Sequence, residues 1–193
     1  MQVITLSAAA FTDLASAAAF ASKDKKRPLL TAVMMERDGE NVRAIATDSY
    51  GLITIERGAV SIAGDGESVL LSAVDLASAA KLVKGNEVTL RAAGDGRSYE
   101  VVTSGLVRGT VEVIEGTYPG YRQLIPGYRG ICETEKIGLD PALLVKLTKV
   151  APFSTKMGGE SARLVSLSDS TRPIMFESRD GLTRALFMPV RAN

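Results

Sequence analysis

Apolar positions along this chain change their spacing in a recurring order. Three alanine- and leucine-rich stretches carry them three and four residues apart, as one face of a helix requires, and after each stretch the spacing falls to two. In the second stretch Leu76, Ala79, Ala80 and Val83 share the apolar face. In the third it is Leu143, Leu144, Leu147 and Val150. Boundary signals agree: Ser72 followed by Asp75 forms a capping box, Gly85 suits a left-handed C-terminal cap, and Asp140 with Pro141 reads as N-cap and first helical residue. Strands are expected after the first helix at Leu30–Glu36, Val42–Thr47 and Leu52–Glu56, with a turn at Asp38-Gly39. They are expected after the second at Glu87–Ala92, Tyr99–Thr103 and Thr110–Ile114, with a turn at Gly94–Gly96, and after the third at Ala162–Ser168, Ile174–Ser178 and Thr183–Met188, with a turn at Asp180-Gly181. One further strand precedes each helix, at Gln2–Leu6, Ser68–Leu71 and Glu133–Leu139.

Each unit is therefore strand, helix, three strands, and sequence identity supports the repetition. Asp-Leu-Ala-Ser-Ala-Ala occurs at Asp13–Ala18 and again at Asp75–Ala80, 62 residues on. The following Lys81, Leu82 and Lys84 find counterparts at Lys146, Leu147 and Lys149, 65 residues later. The fold class is α+β: one unit cannot bury both its sheet and its helix, so two units are expected to pair with their helices on one face. Residues 116–130, with Pro119, Pro126 and four glycines, read as the linker before a lone third unit, whose open sheet edges call for another chain.

Composition narrows the function. The chain has 193 residues, 46% apolar and 23% charged, with no histidine and a single cysteine, Cys132. That removes the commonest general base and zinc ligand and any internal disulfide, so neither cofactor nor metal is expected. Glu36, Asp48 and Glu56 lie near no nucleophile–base pair or phosphate-binding glycine loop, and no enzyme is expected. The apolar run at 7–21 is interrupted by Thr12, Asp13 and Ser16, and the start lacks a basic signal region, so neither membrane span nor export is expected and the location is cytoplasmic.

Net charge is only +1, yet its distribution is uneven. Residues 9–27, 72–85 and 140–157 hold nine basic against four acidic side chains, while the remainder holds 14 against 18. Lys23, Lys25, Lys26, Arg27, Lys81, Lys84, Lys146 and Lys149 form a candidate phosphate-facing set on or beside faces of small residues such as Ala77 and Ala142. Such lysines suit sequence-independent phosphate contact.

Four segments, in order, resemble the β subunit of bacterial DNA polymerase III, the replicative sliding-clamp family: Arg27-Pro28-Leu29-Leu30, Ala46-Thr47-Asp48-Ser49, Tyr118-Pro119-Gly120-Tyr121-Arg122 with Ile125-Pro126, and Phe187-Met188-Pro189-Val190-Arg191. The resemblance implies a DNA clamp fold, helices lining a hole and sheets outside, with residues 1–126 as a complete clamp domain of two repeats (about 1–62 and 63–126) and 127–193 as half a domain. It implies a non-catalytic processivity factor for DNA replication that encircles DNA and binds polymerase and clamp-loader peptides in a hydrophobic cleft. Carried over residue by residue, that cleft comprises Leu30; Thr47, Ser49, Tyr50, Gly51 and Leu52; Pro119, Gln123 and Leu124; Thr171 and Pro173; and Leu186, Met188, Pro189, Val190 and Arg191. The family commonly has His then Arg where this chain has Tyr50 and Gly51, which implies an altered cleft floor. Three up-down-up units would need four copies to supply the family's twelve-unit ring, suggesting a homo-oligomer of D2 symmetry. A non-encircling adaptor or decoy that offers the cleft alone is the alternative.

Overall fold

The computed structural model describes residues 3–127, 130–131, 137–154, 162–167 and 172–190. Strand β1 (Val3–Ser7) runs directly into helix α1 (Ala8–Ala15), because the Ser7 hydroxyl accepts the Ala10 N–H at 3.1 Å and caps the helix. A 3-10 segment, Ser16–Phe20, continues it, and Phe11, Leu14, Ala17 and Phe20 are wholly buried. Strands β2 (Ala32–Asp38), β3 (Asn41–Thr47), β4 (Gly51–Gly58) and β5 (Ser61–Ala63) follow. The second repeat supplies β6 (Ser68–Ser72), α2 (Ala73–Ala80), β7 (Glu87–Ala92), β8 (Ser98–Thr103) and β9 (Leu106–Glu112). The third supplies β10 (Gly130–Ile131), α3 (Pro141–Leu147), β11 (Arg163–Leu167), β12 (Ile174–Glu177) and β13 (Thr183–Phe187). As expected, Ser72 caps α2, and Asp140 caps α3 by accepting the Ala142 N–H at 2.8 Å, with Pro141 in the first turn.

The strands form two sheets, ordered β5-β1-β7-β8-β9 and β10-β11-β12-β13-β4-β3-β2-β6. The first two repeats exchange their leading strands: β1 pairs with β7 of the second repeat, and β6 pairs with β2 of the first. Each sheet therefore contains strands of both repeats. The third repeat joins through β13, which pairs antiparallel with β4 from Thr183 opposite Ile55 to Phe187 opposite Gly51.

Both faces of the eight-stranded sheet are apolar, and each has its own cover. Val33, Met35, Ala44, Ile53 and Ile55 face the helices and share a core with Phe11, Leu14, Phe20 and Leu76. Met34, Ile45, Leu52, Leu70, Met175 and Leu186 face the other way, against Tyr118 and Tyr121. The segment expected to be a linker is therefore a packed strap. The Tyr121 hydroxyl donates to Glu36 Oε2 at 2.9 Å, and Arg122 pairs with Glu36 while lying over the Tyr121 ring at 5.3 Å. Two anchoring tyrosines outweigh the prolines and glycines around them.

Several boundaries differ from expectation for identifiable reasons. Leu30 lies in a 3-10 turn, Pro28–Thr31, started by Pro28, and the strand begins at Ala32. Strand β9 starts at Leu106, four residues earlier than expected, because Ser104 (φ 50°) and Gly105 (φ 76°) form a two-residue turn with both residues left-handed. Helix α2 ends at Ala80, so Gly85 (φ 102°) turns the chain five residues past the helix rather than capping it. Helix α3 ends at Leu147, so its apolar face narrows to Leu143 and Leu147 while Val150 packs into the core from beyond the helix; Leu144 is exposed. Of the strand expected at Glu133–Leu139, Gly138 forms an isolated bridge with Val190, and the part before residue 137 lies outside the described residues, as does Cys132.

Phe20 stacks on Phe187 with centroids 5.6 Å apart and is wholly enclosed, so it ties the first repeat to the third. Phe20→Ala is expected to cost about 3–5 kcal/mol in urea denaturation, the range for an uncollapsed aromatic cavity. A loss under about 1 kcal/mol would show the junction to be loosely packed.

Candidate partner-binding pocket and helix face

The seam between β4 and β13 opens on its strap side into an apolar pocket of about 380 Å³, within the usual size range of ligand sites. One wall belongs to the first repeat, the other to the third. The seam holds them together: Leu52 lies opposite Leu186, Gly51 opposite Phe187, and the Met188 N–H continues the ladder to the Tyr50 carbonyl at 2.9 Å. Leu52 and Leu186 are buried as the floor, while Tyr50, Leu124 and Met188 stand exposed around the rim. Pro119 and Leu124 come from the strap and Pro173 from the start of β12. The lining is apolar, with Thr47 and Ser49 as its hydroxyl-bearing members beside the Tyr50 phenol.

The loop between β3 and β4 keeps its shape through its own side chains. The Thr47 hydroxyl donates to the Gly51 carbonyl at 2.7 Å and accepts the Ser49 N–H at 3.1 Å. Asp48 Oδ1 accepts the N–H groups of Tyr50 (3.1 Å) and Gly51 (3.0 Å). These bonds hold Ser49 at φ 81°, a left-handed conformation. Gly51 sits close against the aromatic wall: a Cβ there would lie 3.2 Å from Phe20 and 3.3 Å from Phe187, so the rings would have to give by a few tenths of an ångström to admit one.

Of the sixteen expected cleft residues, eleven line this pocket: Leu30, Thr47, Ser49, Tyr50, Gly51, Leu52, Pro119, Leu124, Pro173, Leu186 and Met188. Gln123, Pro189 and Val190 do not: Gln123 is exposed on a 3-10 turn, and the Val190 N–H is spent on the Gly138 carbonyl at 2.9 Å. Thr171 and Arg191 lie outside the described residues. Phe187 lines the pocket and was not expected to. Its position one residue before Met188 in an alternating strand suggests the opposite face.

On the helix side, Lys23, Lys25, Lys26, Lys81, Lys84 and Lys149 are exposed, but most lie after helices rather than on them. Lys81 is the C-cap of α2, and Lys84 and Lys149 follow their helices. Arg27 is exposed and engaged, pairing with Asp24 at 3.1 Å and donating to the Ser49 hydroxyl at 3.3 Å. Lys146 departs from the expected outward face: its ammonium pairs with Asp48 Oδ2 and lies 5.5 Å from the Phe20 ring centroid. The reason is that Asp48 has a second oxygen left over from shaping its loop, within reach of the last turn of α3.

The carboxylates weighed as catalytic candidates all have structural partners. Besides Asp48, Glu36 holds the strap, and Glu56 accepts from Arg43 at 2.8 Å and Asn41 at 2.9 Å. Burial works against the Arg43 charge, but hydrogen bonds to Glu56 and Tyr121 outweigh it and raise its pKa. Among the described residues no cluster of three or more His, Cys, Asp or Glu is placed to hold a metal ion, and no helix is long and apolar enough to cross a membrane.

Comparison with known proteins gives a consistent picture. The family described as "DNA polymerase III beta subunit, central domain" matches residues 5–120. The beta sliding clamp of Micrococcus luteus is 34% identical over 127 residues, covering 63% of this chain and 40% of that protein. The DNA polymerase sliding clamp of Bacillus subtilis superposes with a TM-score of 0.77 at 13% identity, over 100% of this chain and 65% of that one. The DNA polymerase III beta chain of Streptococcus pneumoniae gives 0.75 at 15% identity, over 100% and 65%. The chain thus spans less than two thirds of the length of these relatives.

The pocket loop yields a pair of opposite predictions. Ser49→Gly removes left-handed strain and is expected to raise stability by about 0.5–1 kcal/mol. Thr47→Val leaves a buried carbonyl and N–H without their hydroxyl and is expected to lower it by about 1–3 kcal/mol. Thermal unfolding of both variants checks the signs; two shifts in the same direction would contradict this account of the loop.

Proposed function

This chain belongs to the DNA polymerase III beta subunit family, and we propose that it acts as a sliding clamp, a non-catalytic factor that encircles duplex DNA and holds a polymerase there through its apolar pocket. The observation that carries this reading is the pocket on the β4–β13 seam, built from two repeats and rimmed by the exposed side chains of Tyr50, Leu124 and Met188. An extended peptide that inserts Leu or Phe side chains fits an open apolar groove with Met and Pro in its walls. Polymerase and clamp-loader segments are the proposed occupants. With Tyr50 on the rim, peptides carrying an aromatic residue are favoured.

For DNA, the exposed Lys23, Lys25, Lys26, Lys81, Lys84 and Lys149 support phosphate contact without base reading. In this reading residues 1–126 form a complete clamp domain and 127–193 half of one, and the exchange of β1 and β6 between the first two repeats supports treating them as a unit. Four chains in D2 symmetry then close the ring. A non-encircling adaptor keeps the pocket and drops the ring.

Three measurements separate these readings. Met188→Ala with Leu124→Ala is expected to weaken a fluorescein-labelled hexapeptide ending in Leu-Phe by about 100-fold, as loss of two apolar anchors does, with native mass unchanged. Unaltered affinity would remove the pocket assignment. Light scattering is expected to give the mass of four chains, and a chain that stays monomeric with and without DNA contradicts the ring. Retention on closed circular DNA, with release after linearisation, marks encirclement; equal retention on both marks the adaptor.

A further inference from the structure

The loop that shapes the pocket is held from behind by a lysine that the pocket itself never exposes. Lys146 leaves the last turn of α3 in the third repeat and crosses to the first, where its ammonium pairs with Asp48 Oδ2. The two side chains are only 18% and 21% exposed. The other oxygen of Asp48 is occupied by the Tyr50 and Gly51 N–H groups, so Lys146 completes the satisfaction of the carboxylate that folds the loop. The same ammonium lies 5.5 Å from the Phe20 centroid, and Phe20 stacks on Phe187 of the pocket wall. One cation thus braces the loop and the aromatic wall together. Without it, Asp48 keeps a partly buried negative charge with no other ion-pair partner among the described residues and gains by turning toward water, which breaks its bonds to Tyr50 and Gly51.

We propose that Lys146 is a positioning residue for the peptide pocket rather than a phosphate contact: by fixing Asp48 it fixes the loop from Ser49 to Gly51, and so the affinity of the pocket for its peptide. This rests on the pocket reading above. Lys146 is absent from the residues that line the pocket, so any effect on peptide binding must pass through the loop or through the Phe20–Phe187 wall that it also braces.

The full-length chain, Lys146→Met, Lys146→Arg, Asp48→Asn/Lys146→Met and the control Lys149→Met are titrated with the same labelled hexapeptide and tested for retention on closed circular DNA. Lys146→Met is expected to weaken peptide binding by about tenfold, the usual scale of coupling within a contacting network, and to leave DNA retention unchanged. In the double variant the introduced amide oxygen can still accept the Tyr50 and Gly51 N–H groups and no unpaired charge remains. Its affinity is therefore expected to return to within about threefold of the parent, as is that of Lys146→Arg. Lys149→Met is expected to do the reverse of Lys146→Met, sparing peptide and weakening DNA retention. Amide exchange at Tyr50 and Gly51, faster in Lys146→Met while Ile53 and Ile55 stay protected, reports the loop directly. Parental peptide affinity in Lys146→Met overturns the proposal, as does a double variant no better than the single one. Should Lys146→Met fail to fold, the double variant and Lys146→Arg decide alone, and a tenfold loss in either overturns it. A parent chain that does not bind the hexapeptide overturns the pocket reading, and this proposal with it.

Discussion

The antiparallel pairing of β4 with β13 is the constraint on which the rest of the molecule depends. It joins the strands of the third repeat to those of the first in one sheet of eight, and it brings together side chains that are more than 130 residues apart in sequence, Leu52 with Leu186 and Gly51 with Phe187. Register here is unforgiving. A slip of one residue would turn Leu186 into the helix-side core and Phe187 toward the strap, exchanging the floor of the pocket with its backing. Gly51 suits this register, since a Cβ there would crowd Phe20 and Phe187 at 3.2–3.3 Å.

With that seam in place, the two faces of the large sheet take separate tasks. The helix side carries the deep aromatic and aliphatic core that makes the three repeats one body. The strap side is covered only in part, because Tyr118 and Tyr121 bury themselves there while Leu124 stays exposed. The pocket lies at the edge of the strap, whose Pro119 and Leu124 line it without filling it. Its loop is held by the Thr47 and Asp48 side chains bonding nearby backbone and by Lys146 pairing the second Asp48 oxygen, so contacts within the chain shape the pocket.

Much of this is legible in the sequence, and the omissions share a cause. Helix caps at Ser72 and Asp140 and the strand pattern after each helix are local signals, and local signals survive folding. The Thr47–Leu52 loop is marked by family resemblance. What cannot be read are choices between partners distant in the chain. Lys146 sits on a helix face that spacing assigns to solvent, and nothing near it in sequence shows that Asp48 has an oxygen to spare. Alternation assigns Phe187 to the core, and the core is where most of its ring lies. Segment 116–127 has the prolines and glycines of a linker, yet its fate is decided by Glu36, in a strand some 85 residues earlier, which receives Tyr121.

The same physics bears on how chains would meet. Edge strands in this fold are mostly blunted: β5 and β10 are three and two residues long, and the outer edge of β6 is bridged at Leu71 by Val113. Strand β9 is different. It has seven residues, exposes Leu106 and Val107, and lacks a strand neighbour beyond it among the described residues; its guard is Asp75, which accepts the Glu112 N–H at 3.3 Å. Within the repeat, β9 corresponds to β13, the third strand after its helix, and β13 is the strand that joins its repeat to another. A strand that holds the joining position and has no joining partner among the described residues offers an open edge for pairing. Two such edges meeting about a two-fold axis would run antiparallel, as β4 and β13 do, so the seam that builds the pocket inside one chain also supplies the pattern by which the proposed ring would close between chains.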